Sequence, residues 1–60
     1  MTLSQVRDEL RSHNVTIRKT RGEYRVNLRE GNENTAYYTD DLTDAYDTGL
    51  DMRRRVHRYL

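Results

Sequence analysis

Sixty residues, 33% of them hydrophobic, with 11 Lys/Arg against 10 Asp/Glu, describe at most one small domain with a thin core. The absence of cysteine excludes disulfide staples and thiolate zinc sites, and no apolar run approaches the ~20 residues of a membrane span. A net charge of +1 excludes strong long-range attraction to a polyanion, so any binding of nucleic acid must rest on local patches.

The low aliphatic content alone would suit a disordered chain. Five tyrosines and a near-zero net charge argue instead for a folded one. The opening MTLSQVRDEL is polar and does not read as a signal peptide, which gives a cytoplasmic protein as the expectation.

The stretch TLSQVRDELRSHN predicts a first helix, with Leu3, Val6 and Leu10 on one face. Thr2 and Gln5 fit a capping box, and Asn14 is suited to the left-handed conformation that ends a helix. VTIRKT and EYRVNLR alternate with period two and predict half-buried strands joined by a tight turn at Arg21-Gly22. EGNEN predicts a second turn and TAYYT a short third strand. From about residue 41 to 58 a long helix follows, capped by Thr39 or Asp40. Leu42, Ala45, Gly49, Met52, Val56 and Tyr59 form its apolar stripe. Gly49 in that stripe points to close approach of helix and sheet.

The fold class is therefore α+β: one α-β-β-β-α domain over residues 1–60, a three-stranded antiparallel meander with both helices on one face. Val15, Ile17, Val26, Leu28, Leu42 and Met52 are expected at the centre of the core. A helix of this length outruns a five-residue strand by roughly 10 Å. Val56, Tyr59 and Leu60 at its end then become a candidate protein interface.

A two-residue turn at Arg21-Gly22 sets Arg18 opposite Arg25 and Ile17 opposite Val26. Extending the pairing across EGNEN sets Asn27 beside Tyr37, Leu28 beside Ala36 and Val26 beside Tyr38. The uncovered face then carries Thr16, Arg18, Arg25, Asn27, Arg29 and Tyr37, with Ala36 and Tyr38 turned to the core. Guanidinium groups around an aromatic ring suit single-stranded nucleic acid: phosphate on charge, base on ring. The same residue types also suit an ordinary solvated face, with Glu23 and Glu30 relieving the arginines.

Arg53, Arg54, Arg55 and Arg58 form a secondary basic patch at the chain end, where cations favour the helix dipole. Asp51 is spaced to pair with Arg54 or Arg55. Asp40, Asp41, Asp44 and Asp47 suit a helix N-terminus and lack the alternating pattern of a calcium loop. His13 and His57 have no metal-ligand spacing, and no serine sits in a nucleophile motif. No catalytic residue, cofactor or metal is therefore expected, and the chain reads as a non-enzyme.

The α-β-β-β-α order is similar to that of double-stranded-RNA-binding domains and of the small RNA-cleaving toxins that share their fold. The likeness covers the whole chain but is one of order, not of motif. Where those RNA-binding domains have a lysine-rich start to the second helix, this chain has DDLTDAYD. Where the toxins carry histidine after glycine at the second strand, it has Glu23 and Tyr24, so no functional residue carries across. Two readings remain. One is a nucleic-acid-binding accessory protein that works through its open sheet face, with single strands favoured. The other is a protein-interaction module or homodimeric regulator, of the kind mobile elements encode, that uses the second helix.

Overall fold

The computed structural model describes the backbone of residues 1–58 and the side chains of residues 1–55. Helix α1 spans Leu3–Arg11, strand β1 Val15–Thr20, strand β2 Glu23–Leu28, strand β3 Tyr37–Thr39 and helix α2 Leu42–Arg58. A 3-10 turn at Glu33–Thr35 lies between β2 and β3. The strands form an antiparallel sheet in the order β1-β2-β3. Both helices pack on the face that carries Val15, Ile17 and Val26.

Local chemistry fixes each element. Thr2 and Gln5 make the expected reciprocal capping box at α1. Asn14 turns the chain into β1 at φ +58°. Arg21 and Gly22 both have positive φ, as a type I′ hairpin turn requires. The turn sets the β1–β2 register, which pairs Val15 with Leu28, Ile17 with Val26 and Arg18 with Arg25. The cap of α2 is Asp41, not Thr39 or Asp40. Its Oδ1 accepts from the Thr43 and Asp44 amides, while Thr39 Oγ1 accepts from the Asp41 amide.

Val6, Leu10, Val15, Ile17, Val26 and Ala45 are the buried core. Fully burying a side chain such as Leu10 stabilises by ~1.5–3 kcal/mol. Leu28, Leu42 and Met52 flank this centre and do not occupy it. α2 crosses most closely at Gly49, where a Cβ would lie 2.9 Å from Leu10 Cδ2 and 3.1 Å from Val26 Cγ2. The glycine admits α1 and β2 to the helix backbone at one point. One turn on, Met52 packs against the edge of the core and lines an open groove with Ala36 and Tyr37.

The third strand is displaced by one residue from its expected pairing. Tyr38 lies beside Arg25 and Tyr37 beside Val26. A one-residue slip exchanges the two faces of a strand. Tyr37 is thus on the helix side, where its hydroxyl donates to Asp44 Oδ2 at 2.7 Å. Tyr38 is on the open face and not in the core. Ala36 precedes the strand and closes the 3-10 turn. The cause is the connection itself. Asn32, with its side chain accepting from the Asn34 amide, caps a 3-10 turn that takes up residues a simple loop would leave to the strand.

Candidate nucleic-acid interface

The open face is crossed by one row of side chains: Arg18 on β1, Arg25 on β2 and Tyr38 on β3. Directly opposed like charges destabilise a strand pair. Glu33, carried over the face by the 3-10 turn, moderates this. It accepts from the Tyr38 hydroxyl and from Arg25 Nη2, the latter at 3.2 Å. Tyr38 first, Arg25 next and the charge of Arg18 last hold the Glu33 carboxyl below the usual carboxylate range. Glu23 and Glu30 do not take this role: Arg25 pairs with Glu33, and Glu30 turns to Arg53.

The Arg25 side chain is 16% exposed, and its buried Nε–H meets no acceptor among the described residues. Arg18 is exposed and makes no ion pair among the described residues. Tyr38 is 44% exposed. The row thus presents one exposed cation, one largely covered guanidinium paired with Glu33 and one accessible aromatic residue.

Asn27 belongs to this face but is not free on it, being only 3% exposed. Its Nδ2 donates to the Asn32 carbonyl at 2.9 Å, and its Oδ1 accepts from Thr35 Oγ1 at 2.7 Å. Thr35 Oγ1 in turn accepts from the Asn32 amide at 3.1 Å. Asn27 is therefore the anchor that lays the β2–β3 connection across the sheet and so positions Glu33. Gly31 is required beside it, since a Cβ there would overlap Thr35 Oγ1 and lie 2.5 Å from Asn27 Oδ1.

Arg29 is exposed at the end of β2, where its amide donates to the Asn14 carbonyl at 2.9 Å. Arg29 and Arg11, the last residue of α1, line a cleft with Asn14, Val15 and Thr16. Basic residues thus gather on the β1 side of the sheet. Between Arg11 and Gly22 the chain has three further cations, Arg18, Lys19 and Arg21, and no acid. Lys19 lies over the Tyr24 ring at 5.7 Å on the helix side of the hairpin.

Among the described residues of the basic patch at the chain end, Arg53, Arg54 and Arg55 have different surroundings. Arg53 is 13% exposed and is a clamp. Its Nε donates to the His13 carbonyl at 2.8 Å and its Nη2 to the Asn14 carbonyl at 2.6 Å. Both Nη atoms reach Glu30, each at 2.8 Å. This fork ties α2 to the α1–β1 turn and to the loop after β2. Arg53 pulls the Glu30 carboxyl down to about 2, with a backbone hydrogen bond adding to the effect. Arg55 pairs with Asp51 one turn earlier, and Arg54 is exposed. Arg58 and the expected interface of Val56, Tyr59 and Leu60 lie outside the described residues.

The sequence pattern turns Tyr38 to the core and gives no prominence to Glu33 or Arg11. The signal for Glu33 was present in Asn32-x-x-Thr35, a cap spacing inside what reads as a plain turn. Among the described residues no group of three or more His, Cys, Asp or Glu is placed to hold a metal. No helix of the described residues is long and apolar enough to cross a membrane. The chain matches no protein-family model, no curated protein and no solved structure.

Proposed function

We propose that this small α+β domain is a non-enzymatic nucleic-acid-binding protein. It holds single strands on its open sheet face through Arg18, Arg25 and Arg29, with Tyr38 as the stacking ring. The observation that carries the reading is the Arg18–Arg25–Tyr38 row. Two opposed arginines and a buried Nε–H without an acceptor each cost stability, the second by about 1–3 kcal/mol. A face needed only for solubility would lose both costs with a threonine at Arg25, and the first with a threonine at Arg18. Their presence beside an accessible ring is consistent with recognition of phosphate and base. The cytoplasm is the proposed place of action.

Amide-shift mapping with single-stranded RNA, single-stranded DNA and duplex DNA at two salt concentrations tests this. Shifts on β1, β2 and Tyr38 that shrink with salt are expected, because phosphate contacts release counterions. Unchanged spectra at low salt with all three ligands overturn it. Sedimentation at two protein concentrations tests the alternative, self-association through the end of α2, which predicts a mass that rises with concentration.

A further inference from the structure

We infer that the cleft between Arg11 and Arg29, at the β1 edge beside the open face, is a second phosphate site, so that the ligand is a strand of several nucleotides and not a mononucleotide. This rests on the nucleic-acid reading above and adds to it a path and a length.

Three observations support it. First, the cleft is lined by two guanidinium side chains from different elements, the end of α1 and the end of β2, together with Asn14, Val15 and Thr16. Neither arginine makes an ion pair among the described residues. Second, the cleft is built. The Arg29 amide is fixed on the Asn14 carbonyl at 2.9 Å, and Asn14 holds the left-handed turn that brings the end of α1 against the start of β1. Its volume of about 250 Å³ equals roughly eight waters at ~30 Å³ each, room for a phosphodiester and part of its sugar. Third, the cleft lies on the hairpin that carries the row, displaced from it along the strands. Asn14 opposes Arg29 as Arg18 opposes Arg25, four residues further along the same hairpin. That is about 13 Å at ~3.3 Å per residue.

Thr16 and the sealed Asn27 block lie between the two sites, with no charge of either sign on that pair. A strand running along β1 from the row to the cleft would span about four nucleotides if stacked at ~3.4 Å each. Two arginines converging on one cleft match the bidentate demand of a phosphate better than either alone.

The test compares thymidine oligonucleotides of two and six residues on the wild-type chain and on the Arg11→Gln/Arg29→Gln variant, by fluorescence anisotropy at several salt concentrations. The wild type should bind the hexamer at least tenfold tighter than the dimer. In the variant the advantage should fall to about threefold or less, and the hexamer's salt slope should drop by about 0.7, one phosphate contact on a single strand. An unaltered length preference and salt slope in the variant overturn the second site while leaving the row intact. No binding of either oligomer to the wild type overturns both readings. If the double variant does not fold, Arg11→Gln and Arg29→Gln are measured singly, and each should lose part of the hexamer advantage. An acidic hexapeptide that competes as well as the hexamer would overturn the nucleotide assignment in favour of an extended peptide on the β1 edge.

Discussion

Glu33 and Arg25 are joined across the open face at 3.2 Å, and the carboxylate that makes this contact also accepts from Tyr38. On the proposed reading it occupies the position between guanidinium and phenol that a phosphate would take. Glu33→Gln should strengthen binding of a single-stranded hexamer about three- to tenfold at low salt. Removing one like charge a few Å from a surface phosphate is worth ~1 kcal/mol. Arg25→Gln should weaken binding by a similar factor. Anisotropy titration of both variants checks the signs, and equal affinities in all three proteins would remove the row from the site.

Asn27 should be worth more to stability than its polarity suggests. Asn27→Ala leaves the Asn32 carbonyl and the Thr35 hydroxyl without their shared partner, a loss of about 1–3 kcal/mol. Gly31→Ala should cost a similar amount by overlap with the same group. Urea unfolding measures both, and the double variant should lose less than the sum, because the two act on one network.

Acid should weaken the fold in a defined window. Glu30, Glu33 and Asp44 all titrate below their ordinary values, held by Arg53, by Tyr38 and by Tyr37 respectively as the largest cause. As pH falls from the ordinary carboxylate value near 4.5 towards about 2, the unfolded chain takes up protons that the folded one refuses. Stability present above that window is therefore lost through it. Arg53→Gln should flatten the Glu30 share of this dependence, and it removes two charged donors from backbone carbonyls at a cost of about 2 kcal/mol. Thermal melts between pH 2 and 6 on both proteins measure the difference.

Gly49 tests the helix crossing. Alanine would gain about 1 kcal/mol of helix propensity. Its Cβ, 2.9 Å from Leu10 Cδ2, costs about 1–3 kcal/mol in a packed core. The expected net is a loss of about 1 kcal/mol for Gly49→Ala and about 3 kcal/mol for Gly49→Val. Leu10→Val should recover part of the alanine variant's loss, as read from chemical denaturation.

The hairpin was legible in the sequence because its turn and its apolar pairs agree: Arg21-Gly22 fixes the register that Ile17 and Val26 independently require. Both helices were legible from their stripes, and Gly49 from its place in one of them. The third strand was not. Two adjacent tyrosines carry no alternation to say which of them faces inward. The residues before them form a 3-10 turn through side-chain bonds to Asn27, which composition does not display. The candidate site inherited that slip. Arg18, Arg25 and Arg29 stand exposed or partly exposed on the expected face, Tyr38 replaces Tyr37, and Asn27 is an anchor and not a contact. Arg53 looked like surface charge because its partners, Glu30 and the carbonyls of His13 and Asn14, are distant in sequence.

β3 has three residues, against six in each strand of the hairpin. It is held at one edge by Tyr37 on Asp44 and Tyr38 on Glu33. Such an edge opens locally at far lower free energy than the core. Amide exchange should be fast at Tyr38 and slow at Val26, and the stacking ring of the proposed site rides on the segment that opens. On the proposed reading, peeling one short strand would release or admit a base at Tyr38, while the β1–β2 hairpin and its arginines stay folded beneath the backbone of the ligand.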